Sequence, residues 1–236
     1  MSEPTDSTDA RDRLALALDV GGLAEAEAMA AQVGEWFGVV KVGLELYAEA
    51  GPDAFARFHD LGYRVFADLK LHDIPNTVAR AATVLGRHGV DFLNFHAAGG
   101  VEMLRAGVDG LRAGARDAGH APPLALAVTV LTSDPDASAF NARLRTAVDA
   151  GCDGVVCSAH EVGAATAAGM RTMVPGIRPA GADVNDQARV ATPESAIRDG
   201  ATWLVIGRAV TGAPDPAAAA AEIADSVRTA LAVSPA

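Results

Sequence analysis

Asp68-Leu69-Lys70-Leu71-His72-Asp73-Ile74-Pro75-Asn76-Thr77 is the densest group of chemistry-bearing residues in this chain of 236. If residues 68 to 70 continue a β-strand, Asp68 and Lys70 point the same way, because strand side chains alternate with period two. A carboxylate and an ammonium facing one space hold each other ionised. Lysine is also the cation suited to proton transfer, since its pKa shifts readily whereas a guanidinium keeps its proton. Of 19 cationic side chains 17 are Arg, and the only lysines are Lys41 and Lys70. With 52 Ala, the chain has a bias such as a GC-rich genome produces, and a lysine surviving it marks a place where arginine would not serve. A salt-adapted acidic surface would deplete lysine too. The plainer account of the decapeptide is a salt bridge at a rim with a capped helix behind it.

Short apolar runs alternate with longer Ala-rich stretches and supply the elements that must position these groups. Strands are read at Leu14–Leu18, Val39–Val42, Arg64–Ala67, Phe92–Phe95, Leu124–Val130, Gly154–Cys157, Thr172–Val174 and Trp203–Ile206. Helices are read near 23–34, 52–61, 76–88, 101–118, 138–150, 160–168, 193–199 and 215–231. The strands are almost continuously apolar, as parallel strands covered on both faces are. Pro75-Asn76-Thr77 and Asp215-Pro216 place cap residues and a proline where helices begin. Eight strand–helix units in about 220 residues are the count for a single (β/α)8 TIM barrel, with an open doubly wound sheet as the alternative. The reading is therefore α/β, with residues 14–236 as one catalytic domain and polar residues 1–13 as a disordered leader. In a barrel, functional residues collect at the C-terminal ends of strands. Asp19, Lys41, Asp68, Lys70, Thr132, Gly207 and Arg208 all fall there.

Composition narrows the partners. A net charge of −11 disfavours broad attraction to nucleic acid or to an anionic membrane, so an anion would be held by a local device. No run reaches the 18 to 20 apolar residues of a membrane span, and the polar first residues do not read as a secretory signal. Cys152 and Cys157 lack CxxC spacing and read as reduced thiols near a buried strand, which points to the cytoplasm. None of the six histidines forms an HxxxH or HExxH zinc pattern. His72 reads as an interface or supporting residue and His96 as a possible lining residue. His59, His88, His120 and His160 read as helix or loop residues, and Trp36 and Trp203 as core or interface residues.

The decapeptide resembles the DxKxxDIPNT motif of the orotidine 5′-phosphate decarboxylase family, without a departure. Further segments extend the likeness over nearly the whole chain after residue 13: Leu16-Ala17-Leu18-Asp19, Lys41-Val42-Gly43, Val128 to Ser133, Pro175-Gly176-Ile177-Arg178-Pro179, Asp186-Gln187 and Val205-Ile206-Gly207-Arg208. The resemblance implies a homodimeric (β/α)8 barrel that converts orotidine 5′-phosphate to UMP and carbon dioxide. This is the last step of pyrimidine nucleotide synthesis, and it uses no metal or organic cofactor. It also implies roles. Lys70 donates a proton to C6 of the pyrimidine, Asp68 lies beside the substrate carboxylate, and Lys41 contacts the ribose and orders the array. Asp19 accepts from a ribose hydroxyl. Asp73 and Thr77 reach into the partner's site, and Ile74 joins the substrate-binding set. Thr132, with Ser133 as the alternative, reads the pyrimidine. Arg178, Gln187, Gly207 and Arg208 serve the phosphate end.

Physical chemistry agrees with those roles. Departure of carbon dioxide leaves an electron pair at C6, and a fixed ammonium both stabilises it and supplies the proton. Asp68 is expected to orient Lys70 and keep it protonated. Phosphate binding far from C6 acts indirectly, for example by closing the loop between Arg178 and Gln187. A magnesium-dependent phosphosugar enzyme of the same scaffold, resembling hexulose-6-phosphate synthase, is the runner-up, disfavoured by Ile74-Pro75-Asn76-Thr77 and by the Gly-Ile-Arg-Pro segment. A non-catalytic nucleotide-binding barrel is the third reading.

Overall fold

Strand β1, Leu14–Leu18, shows how the sequence is folded inside out and outside in. Leu14, Leu16 and Leu18 join the core beneath the helices, whereas Ala15 and Ala17 face the barrel interior. The computed structural model describes residues 9–179 and 191–233. The remaining strands are β2 (Val39–Val42), β3 (Arg64–Leu71), β4 (Phe92–His96), β5 (Leu124–Val128), β6 (Gly154–Val156), β7 (Arg171–Val174) and β8 (Trp203–Ile206). All pair in parallel, in sequence order, and β8 closes on β1 with Leu14 opposite Leu204 and Leu16 opposite Ile206. The chain is thus a closed (β/α)8 barrel.

The helices are α1 (Ala10–Arg13), α2 (Leu23–Val33), α3 (Leu44–Ala50), α4 (Asp53–Asp60), α5 (Pro75–Arg87), α6 (Gly100–Ala118), α7 (Phe140–Ala150), α8 (Val162–Ala167), α9 (Pro193–Arg198), α10 (Arg208–Thr211) and α11 (Pro216–Val233). Pro75 opens α5 as expected, but its N-cap is Ile74 and no side chain caps it, so Asn76 and Thr77 are not cap residues; at α11 Asp215 Oδ1 accepts from Ala218 N, as the sequence predicts. The α5–α6 contact is close because Gly110 and Gly114 lack side chains. A Cβ on either would lie within 2.3 Å of the α5 backbone. Large side chains fill the barrel floor: Phe66, Phe92 and Trp203 meet edge to face, and the Arg64 guanidinium lies 4.4 Å over the Phe92 ring.

Several elements differ from the sequence reading. Residues 10–13, read as the end of a leader, form the helical turn α1. Ala10 and Arg13 are buried there, and Arg13 Nη1 donates to Thr202 O at 3.3 Å; residues 1–8 lie outside the described residues. α3 was not expected, and β3 runs on to Leu71 rather than ending at Ala67. β5 stops at Val128: Thr129 N still donates to Val156 O, but Thr129 O accepts from the Arg143 side chain rather than from a neighbouring strand. Cys152 and Cys157 are buried thiols not joined in a disulfide, and burial with Asp153 nearby pushes the Cys152 thiol up to about 12. Among the described residues no helix is long and apolar enough to cross a membrane.

Candidate active site

A cavity of about 400 Å³ opens at the C-terminal mouth of the barrel. Its floor is apolar, formed by Ala17, Phe66, Val128, Val156 and Val205. Of the residues singled out in the sequence, Asp19, Lys41, Asp68, Lys70, Thr132, Arg178, Gly207 and Arg208 line it. Each comes from a strand end or from the loop behind it, so eight positions scattered over the chain converge only because the barrel closes.

Along one wall the charges alternate. Lys41 Nζ lies 2.8 Å from Asp19 Oδ1 and 3.2 Å from Asp68 Oδ2, and Lys70 Nζ lies 2.6 Å from Asp68 Oδ1. Lys41 is buried in the middle of this run. Burial opposes its charge, but Asp68 and Asp19 more than offset that penalty, and its pKa is raised above the ordinary 10.5. Burial likewise opposes the Asp68 carboxylate, yet the two lysines and hydrogen bonds from Lys70 and Asn94 leave its pKa lowered. Both groups are therefore ionised at neutral pH. Gly43 makes room for this arrangement, since a Cβ there would lie 2.6 Å from Asp19 Oδ1 and 3.1 Å from Lys41 Nζ.

Asp68 and Lys70 do meet, but not by simple alternation. The β3–β4 register jumps from Ala67 opposite Leu93 to Leu71 opposite Phe95, so three residues of β3 face the single Asn94 of β4. Inside that bulge Lys70 has a φ of 49°, the one positive value among described residues other than glycine. Such backbone costs energy and persists where surrounding structure holds it, often at a site of function. Asn94 supplies the hold, accepting from Lys70 N and donating to Asp68 Oδ1, each at 2.7 Å. Sequence reasoning passed over Asn94 because it sought titratable groups. The available signal was a lone amide two residues after Phe92, on the inward register of an apolar strand.

The side of the cavity formed after β7 and β8 is cationic. Arg178 follows β7 and Arg208 opens α10 after β8. Arg178 is held by its own Nη1, which donates to Ile177 O at 3.0 Å. Burial, with Arg208 close by, lowers its pKa below the ordinary guanidinium range. Pro175, Gly176 and Thr211 complete this end. Thr132 borders the cavity, whereas Ser133 is exposed and is not part of its lining. Asp73, Ile74 and Thr77 lie outside the cavity on the exposed turn and first residues of α5, where Asp73 Oδ1 accepts from Ile74 N at 2.7 Å. Gln187 lies outside the described residues, as does most of the loop between Arg178 and Gln187. His96 does not line the cavity. It stacks on His72, with ring centroids 5.4 Å apart, and burial together with Arg143, His72 and Lys70 lowers its pKa. Among the described residues no group of three His, Cys, Asp or Glu is arranged to hold a metal ion.

An eight-stranded parallel barrel with polar groups gathered at its C-terminal mouth defines the large class of (β/α)8 enzymes. Within that class the chain belongs to the Orotidine 5'-phosphate decarboxylase / HUMPS family, whose model matches residues 12–223. A protein named orotidine 5'-phosphate decarboxylase from Moorella thermoacetica is 46% identical over 234 residues, covering 92% of this chain and 93% of the relative. One of the same name from Anaeromyxobacter sp. (strain K) is 50% identical over 229 residues, covering 90% and 97%. The crystal structure of orotidine 5'-phosphate decarboxylase from Lactobacillus acidophilus superposes with a TM-score of 0.78 at 36% identity, covering 91% of this chain and 98% of that one. The chain is an enzyme of this family, a carboxy-lyase.

Proposed function

We propose that the chain decarboxylates orotidine 5′-phosphate to UMP and carbon dioxide, without a metal ion or organic cofactor. The observation that carries this reading is the run Asp19–Lys41–Asp68–Lys70 on one wall of a cavity whose other end holds Arg178 and Arg208. A substrate with a phosphate at one end and a carboxylate leaving from the other matches that division of charge.

When the bond from C6 to the carboxylate breaks, the electron pair stays on C6 and carbon dioxide departs neutral. The Lys70 ammonium stabilises the developing negative charge and then transfers a proton to C6, giving UMP. Asp68 orients that ammonium and keeps it protonated until the carbanion draws the proton off. Because the ion pairs exist before substrate arrives, little reorganisation is needed at the moment of reaction. Lys41 and Asp19 hold the ribose hydroxyls, and Thr132 reads the pyrimidine edge. Arg178, Gly207 and Arg208 bind the phosphate, with Gln187 as a further contact. Phosphate binding energy contributes to the rate by fixing the pyrimidine against Lys70.

Asp73, Ile74 and Thr77 are assigned to a second copy's site. They are exposed on this protomer and outside its own cavity, and Ile74, at 65%, is the most exposed large apolar residue among those described. A homodimer that buries Ile74 and carries Asp73 to the partner's Lys70 accounts for both facts.

The test follows the ultraviolet absorbance of orotidine 5′-phosphate with purified protein in excess chelator, beside Lys70→Ala. Conversion by the wild type and near-total loss in the variant are expected. A folded dimer that binds UMP but converts nothing would overturn the reading, and activity restored by magnesium on a phosphosugar would replace it with the aldolase alternative.

A further inference from the structure

Asn94 lies in the middle of β4, fully buried, and does not border the cavity. Its amide nevertheless touches both members of the reactive pair. The assignment of its two ends follows from chemistry: a backbone N–H only donates, so Oδ1 faces Lys70 N, and Nδ2 faces the Asp68 carboxylate. We propose that Asn94 is a positioning residue that locks Lys70 into its left-handed backbone conformation and aims the Lys70 ammonium along the Asp68 carboxylate.

Three observations meet here. First, the bulge takes Lys70 out of the ladder between Ala67–Leu93 and Leu71–Phe95, so its N–H needs a different acceptor, and the Asn94 side chain provides one. An unpaired N–H in this setting would carry the full desolvation penalty. Second, the positive φ at Lys70 needs an external restraint, because a lysine prefers extended or helical backbone. Third, Asp68 Oδ1 receives Lys70 Nζ at 2.6 Å and Asn94 Nδ2 at 2.7 Å, while Oδ2 receives Lys41. One amide therefore sets the lysine backbone and the carboxylate plane together. An aspartate here would accept from Lys70 N but repel Asp68, and an alanine would release both. The charged groups around position 94 are Asp68 and Lys70 on β3, with Lys41 on β2 reached through Asp68; the opposing residue on β5 is the apolar Leu126.

The inference rests on the decarboxylase reading for the rate that Lys70 controls, so the experiment pairs a kinetic readout with one that needs no turnover. For Asn94→Ala we expect kcat on orotidine 5′-phosphate to fall about 100-fold, the scale of an ångström-level misplacement. UMP affinity should stay within about threefold, because the lost interaction belongs to the transition state. Asn94→Asp should be weakest at high pH and regain activity as the pH falls, because a protonated carboxyl again donates to Asp68; the wild type should show no such regain. Amide hydrogen exchange at Lys70 should accelerate in Asn94→Ala relative to its neighbours in β3. If Asn94→Ala does not fold, the pH profile and Lys70 exchange of Asn94→Asp decide. Unchanged Lys70 exchange overturns the proposal, as does kcat within about threefold of wild type, or losses of kcat and UMP affinity in equal measure. A wild type that never converts the substrate overturns the decarboxylase reading instead, and the Lys70 exchange still decides the role of Asn94.

Discussion

On the β1–β3 side of the cavity carboxylates and ammoniums alternate, each within hydrogen-bonding or ion-pair distance of the next; on the β7–β8 side two guanidiniums lie near one another, and among the described residues the acids of the lining are Asp19 and Asp68. The run Asp19–Lys41–Asp68–Lys70 is formed before substrate binds. Its pKa shifts reinforce ionisation at Lys41 and Asp68 alike. On the second side, the shift at Arg178 runs against its own ionisation, through burial first and the neighbouring Arg208 next. One end is organised for a reaction and the other for capture. An anion arriving at the second relieves a repulsion, whereas nothing that arrives at the first needs to assemble it.

Substitutions at the two ends should separate accordingly. Lys70→Ala removes both the proton donor and the charge facing C6, and kcat should fall by about 10⁴-fold or more, with UMP binding little altered. Single-turnover rates and equilibrium binding measured on one preparation check this. Asp68→Asn leaves two ammoniums with a neutral amide between them. A loss of about 10²- to 10³-fold in kcat and about 3–5 kcal/mol in stability is expected, read by kinetics and denaturant unfolding. Arg208→Ala should raise KM about 10- to 100-fold, the value of a hydrogen bond to a charged group, and lower kcat by a smaller factor, because phosphate binding also fixes the pyrimidine against Lys70. Were kcat to fall as far as KM rises, the division between the ends would fail.

Gly43→Ala is a finer probe of the first end. The new Cβ would press on Asp19 Oδ1 and loosen its bond to Lys41, costing about 1–3 kcal/mol in stability or in binding. The smallest effect is the pH dependence of stability. The folded pKa of Asp68 is depressed, so its contribution is present above the ordinary 3.8 and is lost only as the pH falls through the depressed value. That of Lys41 is raised, so its contribution persists below the ordinary 10.5 and is lost as the pH rises through the raised value. The Tm difference between wild type and Asp68→Asn should therefore stay level across the neutral range and shrink in acid. A difference that vanished well above the ordinary carboxylate range would contradict the geometry around Asp68.

The barrel was legible because strand alternation and Ala-rich helices repeat eight times, and local errors do not alter that count. Errors fell where tertiary contacts decide. Leu44-Glu45-Leu46-Tyr47-Ala48-Glu49-Ala50 reads as a loop until Leu46 is seen buried against the core, and α1 exists because Ala10 and Arg13 pack at the barrel's base. At the site, residue types gave away Lys41, Asp68 and Lys70, since few functions explain two lysines among 17 arginines. Their geometry was hidden. An extended strand leads to the right neighbours for the wrong reason, because only a register jump opposite Asn94 produces the observed backbone. Periodicity carries no trace of a bulge, which depends on how a second strand pairs with the first.

The scarcity of lysine also makes the chain its own unfolding gauge. A protease that cuts only after lysine has two targets here, one buried in β2 and one in the bulge of β3. Cleavage needs an extended segment of free chain around the bond, which barrel strands do not offer by local fraying. Cutting therefore reports opening of the barrel itself, and three fragments of fixed size mark each molecule that opened. The two residues that the chemistry requires are the same two at which the chain is severed, so a digested molecule is also an inactive one, and lost activity can be compared directly with cleaved protein.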